Sequence, residues 1–297
     1  MRVTSNYYGQ LLNALNNTED KLQDDLQQLS TNRRVNSPSD DPTAAALEVR
    51  NLSSTADAAQ YQENISSSQT FLNSANSALT SVVTSLNSAI SLGVSSANGA
   101  NTASQNAQNA TSISNIRDQI LSLANTSVQG VYVFGGTATS SAPYKLDSTA
   151  TDGVSYSGNT GVNTIQVGND LSVSGNTPGS DIFQNSSGNV FKALNDMITA
   201  LNNNSQTDIE SASNELQSAL QTVSLKQGNY NSTLSQLNSE STYLQNETVT
   251  LQSQENNLVG ADLASVISDM TQRQVTEQAS MQAAAKIMPM SLLNYLQ

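Results

Sequence analysis

The sequence predicts a mainly α protein: a long antiparallel helical rod, or coiled-coil bundle, formed by both chain ends, with a small β domain inserted at the distal middle. Three observations predict it. Leucine rows repeating every seven residues lie near both ends of the chain, the spacing that keeps one helix face against another helix. The last residues, with Met290, Leu292, Leu293, Tyr295 and Leu296, are apolar and need burial, and the N-terminal leucine helix is the natural partner. Between the rods, residues 130–188 are rich in Gly, Thr, Ser and Asn around short alternating runs, which reads as hairpins.

Composition narrows the function before any motif does. The 297 residues carry a net charge of -13, which argues against nucleic acid and anionic lipid surfaces. Only 12% of residues are charged and 36% are hydrophobic, so Asn, Gln, Ser and Thr carry the solubility. That balance fits thin rods with a narrow apolar seam, or a chain partly disordered until it meets partners. Cys and His are both absent, which removes thiolate chemistry, the usual metal ligand and the usual general base. No cofactor or metal is expected. The opening segment lacks the apolar core of about 7–15 residues of a secretory signal. No apolar run approaches the roughly 18 residues of a membrane span. The chain is expected to be cytoplasmic or to leave the cell without a cleaved signal peptide, and not to insert in a membrane.

The first helix is predicted from about Tyr7 to Thr31. Tyr8, Leu15, Leu22 and Leu29 are seven apart, with Leu12 and Leu26 four residues after two of them and Glu19 interrupting that second row. Asp24 and Asp25 fall on its solvated face by this reading. A joint follows, from Leu29 to Arg50. Pro38 and Pro42 end one helix and start the next, Asp41 caps the new first turn, and Asn36, Ser37, Ser39 and Asp40 favour turns. For Arg33 and Arg34, the only adjacent basic pair, two readings stand: a positive end to the first helix, complementing its dipole, or a contact to an acidic neighbouring subunit.

The second helix carries Ile65, Leu72, Leu79 and Leu86, with Ser68, Ala75, Val82 and Ala89 three residues on, small side chains that let helices approach closely. Unbroken to about Ala97 it is roughly 80 Å long, and a helix that long needs a partner. A turn near Gly99 precedes a third helix from about Ala103 to Val128. The β segment follows, with strands at Val131–Phe134, Val154–Tyr156, Asn163–Val167 and Leu171–Val173, leaning on the rods because about 60 residues make a marginal core. Helix resumes near Val190 and breaks at Asn202–Asn204. Tyr230, Leu237, Leu244, Leu251 and Leu258 then form a one-sided row, which implies packing against another rod of the same chain. After Gly260, Asp262 caps a last helix carrying Leu263, Ile267, Met270, Met281 and Met288.

The search for catalytic chemistry returns little. Asp40 and Asp41 are better explained by capping than by general acid–base work. Asp147 and Asp152–Gly153 lack the alternating ligands of a calcium loop. Gly135–Gly136 has no following Gly-Lys-Ser/Thr, so it reads as a strand ending in a turn. Glycan binding by the β segment would need exposed aromatics, and only Tyr144, Tyr156 and Phe183 are candidates there. The chain is not expected to be an enzyme.

The segment LSTNRRVNSPSDDPTAAA resembles the N-terminal signature of bacterial flagellins and their relatives, and Gln274–Gln297 resembles their C-terminal helix. Met1–Thr4 and the run Gly130–Thr137 look more like the branch that joins hook to filament than like flagellin itself. The resemblance implies an inner domain of paired terminal helices (residues 1–41 plus 261–297), a helical rod (42–129 plus 189–260) and an outer β domain (130–188). It implies an extracellular structural adaptor, exported by the flagellar type III route, that joins the hook through another hook-associated protein to the flagellin filament. The alternative is a short flagellin that forms the filament itself. Implied partners are further copies in a ring or helical layer, a hook-associated protein, flagellin and a cytoplasmic export chaperone. The assembly interface would comprise Tyr8, Leu12, Leu15, Leu22, Leu26, Leu29, Leu263, Ile267, Met270, Met281, Met288, Leu292, Leu293 and Leu296. The joint would comprise Arg33, Arg34, Pro38, Asp40, Asp41 and Pro42.

Overall fold

The structure, a computed structural model, describes residues 4–99 and 101–293, with side chains described for all of these except residues 4–8, 284 and 286–293. The expected interface positions Tyr8, Met288, Leu292, Leu293 and Leu296 therefore lie outside the described side chains. Five long helices dominate: α1 (Thr4–Thr31), α2 (Pro42–Ala97), α3 (Ala103–Ala124), α6 (Gln206–Val259) and α7 (Leu263–Leu293). The chain divides into two compact units, residues 1–57 with 246–297, and residues 58–245.

In the larger unit the predicted α2 seam is the core. Ile65, Leu72, Leu79 and Leu86 are buried, and so is the small row Ser68, Ala75, Val82 and Ala89. They meet the row Tyr230, Leu237 and Leu244 of α6, all buried in the same cluster. Amides stitch the edges antiparallel: Gln62 donates to the Ser241 carbonyl at 3.0 Å, Gln69 to Asn238 at 2.8 Å, and Asn76 to Asn231 at 2.9 Å. Gly93 continues the seam at the same interval, and a Cβ there would fall 2.5 Å from Met197. One stretch of α2 reaches a mean hydropathy of 1.3 over 18 residues, enough by composition to cross a membrane. The expectation of no such stretch missed it because Ser, Thr and Asn interrupt every apolar run. Along the outer edge of α2, Thr80, Thr84 and Ser88 each donate a hydroxyl hydrogen bond to the carbonyl four residues back.

Helix α3 ends at Ala124, short of the expected Val128, because Ser127–Val128 forms a strand. Its start carries a capping box: Thr102 Oγ1 accepts from the Gln105 amide and Gln105 Oε1 from the Thr102 amide. The β segment is four separate antiparallel hairpins, not one sheet: β1 (Ser127–Val128) with β2 (Val131–Tyr132), β3 (Tyr144–Leu146) with β4 (Val154–Tyr156), β5 (Thr164–Gln166) with β6 (Ser172–Ser174), and β7 (Gln184–Asn185) with β8 (Gly188–Asn189). The short helix α4 (Gly179–Phe183) precedes β7, and α5 (Val190–Asn202) follows β8.

The apolar residues of the hairpins belong to the helical core. Phe134, Tyr144, Phe183 and Phe191 form a buried cluster with edge and tilted ring contacts 5.2 to 6.0 Å apart, and Tyr156 joins at 4.9 Å from Tyr144. Burial pushes the Tyr144 hydroxyl well above its ordinary pKa. The three aromatics considered for glycan contact are thus part of this cluster. Gly135–Gly136 makes the turn expected of it: Gly136 has φ +72°, and a Cβ would lie 2.1 Å from the Asn159 carbonyl oxygen. Asp147 closes its own turn by accepting from Thr149 at 2.9 Å, and Asp152 accepts from Asn189 at 2.8 Å.

Leu79→Ala should cost about 2–5 kcal/mol through the cavity left in a closed seam, whereas Leu225→Ala, at a position 66% exposed, should fall within about 0.5 kcal/mol of the parent. Urea denaturation followed by circular dichroism measures both.

Candidate functional site

The smaller unit contains α1, α7 and the two joints that lead into and out of them. Helix α1 ends at Asn32, which takes φ 57°, a left-handed conformation that Asn tolerates. The chain then pairs with the second joint. The Arg34 amide donates to the Val259 carbonyl at 2.7 Å, the Ala261 amide to the Asn32 carbonyl at 3.2 Å, and Arg33 and Gly260 form an antiparallel bridge. Val35, Ala44 and Val259 are buried beneath it.

Each joint residue picked from the sequence has a place here. Ser37, Pro38, Ser39 and Asp40 make a turn closed by the Asp40 amide donating to the Ser37 carbonyl at 3.0 Å, with Pro38 at the second position, where its fixed φ suits. Asp40 does not cap α2. Its Oδ2 reaches back to accept from the Asn36 and Ser37 amides at 2.9 and 2.8 Å, which leaves the helix to Asp41. Asp41 Oδ1 accepts from the Ala44 amide at 3.0 Å, with Pro42 in the first helical position. Backbone hydrogen bonds hold both carboxyls below the ordinary value, with Arg34 adding to the effect on Asp41. Asp262 caps α7 in the same way, accepting from Ala264 at 3.0 Å.

The arginines do not complement the end of α1. Arg34 donates to the Leu258 carbonyl at 2.9 Å, so it complements the C-terminal end of α6 rather than of α1, and it also meets Asp41 at 3.2 Å. Arg33 pairs with Glu48 of α2. Both guanidiniums are engaged within the chain.

Helix α1 packs on α7. The positions of α1 that lose solvent are Leu11, Leu15, Thr18, Leu22, Asp25, Gln28 and Leu29, a stripe at helical spacing. The expected row of Leu15, Leu22 and Leu29 is therefore in the seam, but its companion row is not Leu12 and Leu26, which are 41% and 49% exposed. On α7 the matching positions are Val266, Met270, Arg273, Glu277 and Ser280. Of the expected α7 row, Met270 is half-buried, while Leu263, Ile267 and Met281 are exposed at 39%, 47% and 47%. The seam thus mixes leucines with polar residues, and several apolar side chains of the pair face outward.

Asp25, expected on a solvated face, is the most buried residue of the α1 seam. It faces Arg273, whose Nε stands 3.2 Å from Oδ2, while Arg273 also donates to the Lys21 carbonyl at 3.0 Å. Burial pushes the Asp25 carboxyl above its ordinary value, outweighing the pull of Arg273, and Asp269 and Asp24 push the same way. A heptad search for apolar residues passes over it. The signal was its spacing, three residues after Leu22 and four before Leu29.

Among the described residues no cluster of carboxylates could hold a metal ion. The site is a packing and joining device. Residues 4–139 match the family described as the bacterial flagellin N-terminal helical region. Over its length the chain is similar to hook-associated protein 3. It is 29% identical to flagellar hook-associated protein 3 of Salmonella typhimurium over 98% of both chains. Its fold is that of hook-associated protein 3 from Legionella pneumophila (TM-score 0.65, 14% identity, 72% of this chain and 98% of that one) and of FlgL from Bacillus cereus (TM-score 0.60, 24% identity, 70% and 99%).

A carboxyl whose pKa rises on folding contributes stability that is complete below the ordinary value of 3.8 and is lost as pH rises through the folded value. Pairing of α1 with α7 should therefore tighten on acidification through the Asp25 term. Asp25→Asn should remove that slope and leave pairing at neutral pH no weaker, as read by hydrogen-exchange protection of α1 amides across the range. Asp40 and Asp41 act with the opposite sign: their contribution is present above the ordinary carboxylate value and lost as pH falls through their lowered folded values.

Proposed function

We propose that this protein is the structural adaptor of the flagellar hook–filament junction, joining the hook, through another hook-associated protein, to the flagellin filament. The observation that carries the reading is likeness to a hook-associated protein along the whole length of both chains. That likeness also disfavours the short-flagellin alternative. The relatives are structural proteins of the flagellum, and the role proposed here is structural rather than catalytic.

The outward apolar residues of the terminal helices suit the role. Leu12 and Leu26 on α1, and Leu263, Ile267 and Met281 on α7, would meet neighbouring subunits in a ring or helical layer, while Leu15, Leu22, Leu29 and Met270 hold the pair together. Binding energy is then spread over many side chains, opposed by the entropy of ordering them. The domain scheme proposed is inner helices at 1–41 with 261–297, a rod at 42–129 with 189–260, and an outer β domain at 130–188. The chain would be exported unfolded by the flagellar type III route, with a cytoplasmic chaperone covering the C-terminal helix.

Loss of the protein should leave hooks without filaments and release flagellin into the medium. Mass spectrometry of sheared flagella with hooks attached should find it in trace amount; dominance of the filament mass would make it a flagellin. Deleting residues 263–297 should abolish incorporation while residues 58–245 stay folded. Pro42→Gly should loosen the start of α2 and raise filament shedding under shear, with unchanged shedding counting against the joint's role.

A further inference from the structure

We propose that Asn98, in the turn between α2 and α3, is a site of self-modification: the Gly99 nitrogen attacks its side-chain amide, and the asparagine becomes aspartate or isoaspartate without an enzyme. The chain is rich in asparagine, but Asn98–Gly99 is its one Asn-Gly pair. Glycine matters because it has no Cβ to shield the attacking nitrogen, and its backbone turns freely.

The structure sets this asparagine apart from the others that a small residue follows. Asn73, Asn76, Asn87, Asn231 and Asn238 each precede a serine, but they lie inside α2 and α6, where the next residue's amide is spent on the helix ladder. Asn36, Asn185 and Asn204 also precede serines and lie in turns, with their side chains held. Asn36 donates to the Arg33 carbonyl at 2.8 Å, Asn185 accepts from the Ser187 amide at 2.9 Å, and Asn204 accepts from Asn106. Asn98 comes just after Ala97, the last residue of α2, and both it and Gly99 are exposed. Its side chain takes no part in the bonds that fix this turn, in which Asn109 donates to Ser96 Oγ at 2.8 Å and Gln206 to the Ala97 carbonyl at 2.9 Å. Gly99 has φ +66°, and a Cβ there would meet only the Gln206 amide, at 3.4 Å or more. Backbone conformation, not lack of space, keeps this residue a glycine.

The chemistry balances with water alone. The Gly99 nitrogen loses its proton and bonds to Asn98 Cγ; the Cγ–Nδ2 bond breaks, and ammonia leaves with that proton. Water then opens the cyclic imide at either carbonyl. Opening at Cγ restores the main chain and leaves aspartate. Opening at the backbone carbonyl leaves isoaspartate, whose main chain runs through the side chain and is longer by a methylene. Either product puts a carboxylate at the C-terminal end of α2, where the helix dipole disfavours it, next to the Ala97 carbonyl that Gln206 holds.

The test incubates the full-length protein in heavy-oxygen water, folded and in urea, at neutral and mildly alkaline pH. Fragment mass spectra then locate the oxygen label. In the folded protein, label should enter residue 98 about tenfold faster than any asparagine that precedes a serine, and faster still as pH rises. Urea should raise the rates at Asn36, Asn185 and Asn204 while changing the Asn98 rate by less than about threefold. Asn98→Gln should leave this turn unlabelled, because its ring would have to be larger. Label spread evenly over the asparagines of the folded chain overturns the proposal. So does an Asn98 rate that urea raises about tenfold or more, which would mean that the turn protects the residue.

Discussion

The smaller unit depends on one short piece of backbone pairing. Arg34 and Leu258, 224 residues apart in sequence, meet where the two joints lie antiparallel. Closing so long a loop is entropically unfavourable, although the cost grows only with the logarithm of length. The helix ends that meet here are satisfied partly by their own turns and partly across the joints. Asn32 ends α1, Asp41 starts α2, Arg34 covers the last turn of α6 and Asp262 starts α7. The joint is less a flexible connector than four helix termini capping one another.

The terminal pair shows a different economy. A helix hairpin built for solitary life would keep charged residues out of its seam. Here Asp25, Arg273 and Glu277 take seam positions, and Leu26, Ile267 and Val275 face outward, Val275 being 58% exposed. A polar seam lowers the stability of the isolated pair and leaves apolar surface for further contacts.

The rods and the joint were legible in the sequence because their physics is local and periodic. The seven-residue rows of α2 and α6 were read correctly, as were Asp41, Pro42 and Asp262 at helix starts. The terminal seams were half legible: the row of Leu15, Leu22 and Leu29 was found, but the companion row of Leu11, Thr18 and Asp25 was hidden because two of its three members are polar. Asp40 was read as part of the capping chemistry when it braces the loop behind it. The hairpins were blurred because their strands are only two or three residues long and their apolar residues serve a helical core. Tyr144–Leu146 alternates over only three residues, too few to stand out, and α4 is too short to have a period.

The hydroxyl ladder of Thr80, Thr84 and Ser88 has a mechanical meaning. A carbonyl that accepts from a side chain as well as from its own amide tilts off the helix axis, and helices bearing such bonds bend. Repeated along one edge, this softens α2 in one direction while the seam opposite stays tight.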